Sequence, residues 1–490
     1  MNSYIKLLAC TIVVAVSVPG CVKNPLESEP VGQYTTGNFW RDQNDVLKGI
    51  AGIYNIMYQE DGVGHGNYVF EDQSDDLSVD GDHADYWRIE GLNAQSTDYQ
   101  IRTTWIFAYE QIARCNNALI YIPKVPTMDE AIRTRSMGEA YFMRAHAYYV
   151  LNTVYGEVPV ILEDNVLTGE YNQPKKTVEE VRVQIESDLL KAADMLTETT
   201  SGDDRGRVHK GAAWGLLTKL YMDWEKLDKA LVTGNSVITN PNYALAQSYA
   251  DNFTVEKQND NSEILFAIWS KDGFGSAVAN IYFSNRAWGG WGFHHPTKDF
   301  VEEFETEDQE RLKTTVLAVG DTIPNQLALI EITDKDAYQM FAGLEGQSSG
   351  RMLPSQSPTG YSMRKYTAFK PDGSLDFSIK QPLIRTSDIY LLVAENKIRT
   401  GGAGAGDAEL NAVRERAGLD PITGASFDDL VHERRVELGG ENIRHFDLLR
   451  WDKAGLIDIN DIVSKPKEAS PLPPFNSAVI VPARTFQRPK

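Results

Sequence analysis

Residues 433–451 read Glu433-Arg434-Arg435-Val436-Glu437-Leu438-Gly439-Gly440-Glu441-Asn442-Ile443-Arg444-His445-Phe446-Asp447-Leu448-Leu449-Arg450-Trp451. Glu433 and Glu437 stand one helical turn apart with Arg434 and Arg435 between them, and Arg444, Asp447 and Arg450 recur at every third position. Residues three and four apart are neighbours on a helix surface. Alternating charges at that spacing suit ion pairs that lock one helix to the next. When such pairs are buried they specify geometry more than they stabilise. The stretch therefore reads as structural scaffolding rather than as a ligand site, and it predicts helices over 426–439 and 442–455.

Working outward, helical patterns fill most of the chain. Residues 385–400 and 406–417 precede the charged stretch. In the other half, residues 42–58 place Val46, Ile50, Ile53 and Met57 at spacings of three and four, and 101–122 do the same with Trp105, Ala108, Ile112, Cys115 and Leu119. Residues 129–155 form a long pattern that stops at Gly156, with Pro159 beyond. Thr177 with Glu180 three residues later is a capping-box signature, opening a helix through Val181, Ile185, Leu189 and Ala192. Residues 209–222 and 225–238 give a further pair. The middle differs. Residues 263–269 (EILFAIW) are an apolar run of strand length, 271–296 are rich in Gly and aromatics, and 345–375 are rich in Ser, Pro and Gly. Long loops of this kind in a compact protein usually serve function. Helix pairs with short turns resemble tetratricopeptide packing, but the strict repeat consensus is absent and the period is degenerate.

The N-terminus carries a different message. Lys6 precedes an apolar run from Leu7 to Val18, too short to span a bilayer. It has the build of a signal peptide over 1–20. Val18-Pro19-Gly20-Cys21 matches a bacterial lipoprotein cleavage box, in which Cys21 becomes the lipidated first residue, although Pro19 is unusual there. Residues 21–38 read as the lipidated tether, with Pro25, Pro30 and the acidic Glu27 and Glu29. Without Cys10 and Cys21 only Cys115 remains, so the folded part has no internal disulfide and must rely on packing. The 490-residue chain is 42% hydrophobic and carries a formal charge of −21. No basic footprint for a phosphate backbone is visible, so nucleic acid is excluded as a partner.

The residues now suggest a family. Arg385, Ile389-Tyr390-Leu391, Ala394-Glu395, Asn411-Ala412-Val413-Arg414-Glu415-Arg416-Ala417-Gly418 and the 433–451 stretch follow one another in order. Together with Arg144-Ala145, Tyr148, Leu151, Tyr155-Gly156-Glu157-Val158-Pro159 and Ala212-Ala213, Leu216-Leu217, Lys219-Leu220-Tyr221, they resemble the SusD/RagB family of outer-membrane nutrient-binding lipoproteins. The resemblance covers essentially the whole mature chain. It implies a mainly α fold, a right-handed bundle of degenerate tetratricopeptide-like helix pairs with long irregular loops and minor β. Residues 39–262 form its N-terminal helical part and 263–490 its loop-rich and C-terminal helical part. It further implies a non-catalytic protein of the cell outer membrane, lipid-anchored and surface-exposed. Such a protein binds oligosaccharide or polysaccharide and delivers it to a partner SusC-like TonB-dependent transporter. Peptide capture in the same transport role, and a non-catalytic helical scaffold of a surface complex, are the alternatives. A glycoside hydrolase is a fourth, since a pair of carboxylates cannot be singled out among the 69 acidic residues.

Sugar rings offer apolar C–H faces to flat aromatics and hydroxyl edges to polar groups. Trp105, Trp214, Trp224 and Trp451 fall on helical patterns and Trp269 in a strand-like run, positions typical of cores. Trp87, Trp288 and Trp291 fall in loop-like sequence. Tyr86 and Trp87 follow Asp85 in an acidic loop, and Trp288 and Trp291 lie in a glycine-flanked segment with Tyr282 and Arg286. Tyr86, Trp87, Asp85, Tyr282, Arg286, Trp288 and Trp291 are the expected ligand-binding residues; the competing reading is that these rings pin long loops to the helices. No cofactor is expected. Asp76-x-Ser78-x-Asp80-Gly81 resembles the start of a calcium loop, but position twelve is Trp87 rather than a bidentate Glu. His294-His295 lacks metal spacing. Gly346-Gln347-Ser348-Ser349-Gly350 matches a nucleophile elbow, yet Pro354 and Pro358 follow where a helix should start.

Overall fold

The computed structural model describes residues 39–58, 68–80, 84–271, 278–286, 289–318, 331–332, 347–348, 357, 359–370 and 374–467. The expected signal peptide, Cys21 with its tether, Trp288, most of the Gly346–Gly350 motif and the Pro-rich tail past residue 467 lie outside the described residues. In chain order the helices are α1 (Gln43–Asn55), α2 (Ala84–Glu90), α3 (Tyr99–Tyr121), α4 (Glu130–Tyr155), α5 (Glu163–Thr168), α6 (Val178–Met195), α7 (Lys210–Asp223) and α8 (Leu227–Ile238). They continue with α9 (Val278–Phe283), α10 (Lys298–Glu302), α11 (Gln309–Thr315), α12 (Thr386–Gly401), α13 (Asp407–Arg416), α14 (Phe427–Leu438), α15 (Arg444–Lys453) and α16 (Asn460–Val463). Each long helix packs on the next in the chain: α3 on α4, α4 on α6, α6 on α7, α7 on α8. Helix α8 then meets α12, and α12 gathers α13 and α14. This is the mainly α, helix-pair architecture expected from the periodicity.

Local chemistry sets the boundaries. The Thr177 hydroxyl accepts the Glu180 N–H at 3.2 Å while the Glu180 carboxylate accepts the Thr177 N–H at 2.9 Å, closing the capping box that starts α6. Asp129 caps α4 by accepting from the N–H groups of Ala131 and Ile132. The helix ends at Gly156, whose φ of +72° favours glycine. The apolar stripes meet in one core, where Val46, Ile50 and Ile53 of α1 join Ala108, Ile112 and Cys115 of α3, Met143, Ala147 and Leu151 of α4, and Val181, Ile185 and Leu189 of α6.

Short antiparallel pairs fix the loops. The run 263–269 forms strand β4 (Ile264–Ile268), which pairs with β10 (Gln381–Arg385), and both pack on α7. The earlier strands β1 (Leu77–Val79), β2 (Val158–Pro159) and β3 (Lys175–Lys176) and the later β5 (His294–Pro296), β6 (Val316–Ala318) and β9 (Tyr361–Met363), with β7 (Glu331–Ile332) and β8 (Gln347–Ser348) between them, make up the rest. They pair as β1–β5, β2–β3, β6–β9 and β7–β8. Two expectations need correction. The acidic stretch read as loop through Trp87 folds from Ala84 as α2, because Tyr86 and Ile89, three apart, both turn inward and are buried. The Gly-rich segment 271–296 likewise contains α9 and β5. Charge and glycine masked a weak apolar period in both.

The 433–451 charges do lock helix to helix. Arg385 is 1% exposed at the end of β10, and its guanidinium reaches Glu263 (2.5 Å), Glu437 (2.9 Å) and Glu441 (2.7 Å). Arg416 of α13 donates to the same Glu437 at 2.5 Å and to Glu263 at 3.0 Å. Arg311 of α11 reaches Glu433 at 2.6 Å and Glu437 at 3.2 Å. Lys365 donates to Glu441 at 2.7 Å and to the Gly439 carbonyl at 2.7 Å. On the other side of α14, Arg434 bridges Asp388 (3.0 Å) and Asp447 (2.7 Å), and Arg450 joins Asp447 (2.8 Å) to Glu395 (2.5 Å). Apart from Arg450–Asp447 within α15, these pairs cross from one element to another, so the charges specify which helices meet.

Deleting one member strands the others in a dry interior. Arg385→Ala should cost about 3–5 kcal/mol, read by urea unfolding; a loss below about 1 kcal/mol, the value of a surface pair, would show the cluster to be dispensable. A second expectation concerns acid. Burial opposes ionisation of Glu437, but Arg416, Arg385 and Arg311 hold its carboxyl well below the usual range. A carboxyl lowered in the folded state contributes stability above its unfolded value of about 4.3 and loses it as pH falls. Thermal unfolding followed from about pH 6 to about pH 3 should therefore show a steeper loss in the wild type than in Glu437→Gln. Parallel curves would contradict this.

Candidate functional site

The two segments singled out for their aromatics are about two hundred residues apart in sequence, and strand pairing brings them together. In the β1–β5 ladder Leu77 faces Pro296, Ser78 faces His295 and Val79 faces His294. The ladder is extended by the Asp80 N–H donating to the Phe293 carbonyl at 2.7 Å. This brings α2, which follows β1, into one cluster with α9 and residues 289–293, which precede β5.

The rings there form a second core, separate from that of the main bundle. Tyr86 meets Phe293 edge to face, with centroids 5.6 Å apart. Tyr282 packs on Trp291 at 4.9 Å and on Phe293 at 5.4 Å. Offset and edge contacts at such distances add to burial. Tyr86 and Tyr282 are 3% and 4% exposed. The Tyr86 hydroxyl accepts from the Gln100 amide at 2.8 Å. These two rings therefore act as the footing of the cluster. Trp87 and Trp291 are only half-buried against it, and Asp85, two residues before Trp87, is half-buried as well.

The turn before β5 is held by its backbone. The Trp291 N–H donates to the Ile281 carbonyl at 2.6 Å and the Phe293 N–H to the Tyr282 carbonyl at 2.9 Å. A Cβ at Gly290 would stand 2.1 Å from the Ser284 oxygen, so this glycine serves backbone-to-backbone approach. Arg286 ties the segments electrostatically, with Nη1 3.0 Å from Asp80 and Nε donating to the Trp291 carbonyl at 2.9 Å. Burial pushes the His295 imidazole down, and its ring nitrogens lie 3.0 Å from the Tyr361 carbonyl and 2.8 Å from that of Gly292. His294 is buried 2.7 Å from Asp72. The arrangement is a buried aromatic cluster with half-exposed Trp87 and Trp291 packed against it, an aromatic shelf whose two segments are joined by the Arg286–Asp80 pair. It can stack flat apolar faces and hydrogen-bond hydroxyls or amides.

The cation candidates sit differently. Residues between Asp76 and Asp80 are strand β1; Asp76 accepts from Arg435 at 2.7 Å and Asp80 from Arg286. Arg435 and Arg444 also hold Asp75, whose carboxyl lies well below its usual range despite burial. Among the described residues Glu305, His432 and Glu433 bring ligand-type atoms within 4.8 Å of one another, but Arg414 already bridges Glu305 and Glu433. The sequence reading overlooked Phe293 and Gln100, which support Tyr86. Their only signals were an apolar residue directly after Gly292 and a polar residue on the inner face of a helix.

Comparisons with known proteins agree with this architecture. Residues 32–222 match the family described as "Starch-binding associating with outer membrane" and residues 245–467 match the SusD family. A SusD-like protein of Bacteroides ovatus is 24% identical over 489 residues, covering 92% of this chain and 83% of its own. A SusD-like carbohydrate binding protein from Bacteroides fragilis superposes with a TM-score of 0.75 at 22% identity, covering 92% of this chain and 96% of its own. A laminarin binding SusD-like protein superposes at 0.69 with 26% identity, covering 85% and 93%. Two family models that run through both halves, and folds matched almost end to end, leave one assignment: this chain belongs to the SusD/RagB family.

Proposed function

We propose that this chain is a surface lipoprotein of the outer membrane that captures oligosaccharide or polysaccharide and hands it to a SusC-like TonB-dependent transporter, without cleaving it. The observation that carries the reading is the β1–β5 pairing, which joins two aromatic segments distant in sequence into one shelf with Trp87 and Trp291 half-open. Asp85 and the Arg286–Asp80 pair border the shelf and can meet hydroxyls; Trp288 belongs to the same segment. Laminarin binding by a relative of the same fold supports a glycan as the ligand. Attachment through Cys21 fits a chain in which, among the described residues, no helix is long and apolar enough to cross a membrane. A stacked sugar ring exchanges water for protein at small net gain per hydroxyl, so affinity rests on the rings.

The chain from residue 22 onward, titrated calorimetrically against plant, host and microbial glycans, should bind at least one of them without releasing product. Trp87→Ala and Trp291→Ala should each weaken that binding by about tenfold or more, corresponding to about 1.4 kcal/mol. Failure to bind any glycan, or binding unmoved by either substitution, would sink the reading. For the anchor, full-length Cys21→Ala expressed in a Bacteroides host should lose incorporation of labelled palmitate and leave the membrane fraction. Unchanged labelling would rule out lipidation at that residue.

A further inference from the structure

A groove of about 240 Å3 opens on another part of the molecule, between segments 199–209, 242–243 and 258–269. None of its lining residues belongs to the aromatic shelf. Its rim is rigid. Gly206 has φ +84° and lies on the Trp269 indole so closely that a Cβ would stand 2.4 Å from Cδ2. The Lys380 ammonium, 4.7 Å from the indole centroid, pins the ring further. Trp269 stays half-buried, at the end of the strand-like run that suggested a core position.

The floor is a stacked pair, His209 on Tyr243, with centroids 5.4 Å apart and planes 17° from parallel. The Tyr243 hydroxyl is used, donating to the Glu198 carbonyl at 2.7 Å. His209 differs: its buried Nδ1 has no hydrogen-bond partner among the described residues. Burial takes its imidazole down to about 4, so at neutral pH the ring is uncharged, with one nitrogen a donor and the other an acceptor. The Asn259 amide, which also lines the groove, has no partner among the described residues either.

Both arginines that line the groove are engaged in ion pairs. Arg205 pairs with Asp260 at 2.8 Å, and Arg207 with Glu139 at 2.9 Å and Asp204 at 3.2 Å. Among the groove's lining residues, both arginines therefore already hold carboxylates, and the Lys380 ammonium lies over the indole. The polar walls disfavour a purely apolar guest. The volume is below the roughly 300–1,000 Å3 of sites for drug-sized ligands. What fits is one small, uncharged ring bearing hydroxyls, with an indole edge or face beside it.

We propose that this groove is a second saccharide subsite, taking a single neutral sugar ring whose hydroxyls meet His209 and Asn259 beside Trp269. Its assignment to sugar rests on the glycan-capture reading, while its position and neutrality come from the groove alone. The test uses the chain from residue 22 onward labelled with 5-fluorotryptophan, the Trp269 fluorine signal being assigned with Trp269→Phe. Methyl glycosides of glucose, galactose, mannose and xylose are the probes. At least one should move the Trp269 signal saturably, with apparent affinity at least about tenfold weaker in both His209→Leu and Asn259→Ala. Asn259→Ala alters only a groove-wall side chain and guards against a folding defect in the first variant. No saturable movement of Trp269 with any glycoside, or movement unaffected by Asn259→Ala, overturns the proposal. The Trp87 and Trp291 signals report the shelf in the same titration. Their movement without Trp269 overturns the groove and leaves glycan capture standing, whereas movement of Trp269 alone supports the groove and counts against the shelf.

Discussion

Arg385 is the point on which the C-terminal half turns. A guanidinium in the dry interior is tolerable only with its five N–H groups satisfied. Here they find Glu263 before β4, Glu437 of α14, Glu441 after it, and the Ser387 hydroxyl at 2.6 Å. Those carboxylates are in turn shared with Arg416, Arg311 and Lys365. Apolar packing would accept many relative rotations of these helices. A shared, directional set of charged hydrogen bonds accepts very few. The protein thus fixes its C-terminal helices electrostatically, while in the N-terminal half the apolar stripes are joined by a smaller buried set in which Arg144 of α4 holds Asp188 of α6 at 2.8 Å.

Much of this was legible in sequence because it is local. Stripes such as Val46–Ile50–Ile53 and the Thr177–Glu180 box announce their helices through periodicity and capping alone. The charged stretch announced its role through spacing, although not its partners. Glu263, Arg311 and Lys365 carry no mark that would link them to Glu433, Glu437 and Glu441, since long-range pairing has no local signature. The same limit governed the candidate site. Trp87 and Trp291 stood out as aromatics away from helical stripes. That Tyr86 and Tyr282 from the same segments would turn inward depended on the β1–β5 register, which is set by partners far away in the chain. Trp269 was hidden in the opposite way: an apolar run hid its half-open position against Gly206.

The N-terminal segment is tied to the C-terminal helices by the same chemistry that orders those helices. Arg435 and Arg444 extend the charged stretch outward to Asp75 and Asp76 immediately before β1. One face of α14 therefore orders the interior, through Glu433 and Glu437, while another holds the strand from which the aromatic shelf hangs. Arg435 also takes Asp299 and Glu303 of the α10 region, at 2.8 Å and 2.9 Å, so both strands of the β1–β5 pair are moored to one helix.

A ladder made of backbone N–H and C=O groups is indifferent to the side chains that leave it on the solvent side. The β1–β5 pair and its moorings, with the Arg286–Asp80 pair, fix where α2 and residues 289–293 lie, while half-exposed positions such as Trp87 stand outside that ladder. Anchorage and outward chemistry are thereby placed on different atoms. A molecule built this way offers an exchangeable faceplate on a constant frame: residues facing outward can be traded for others suited to a different guest without redesign of what holds them in place.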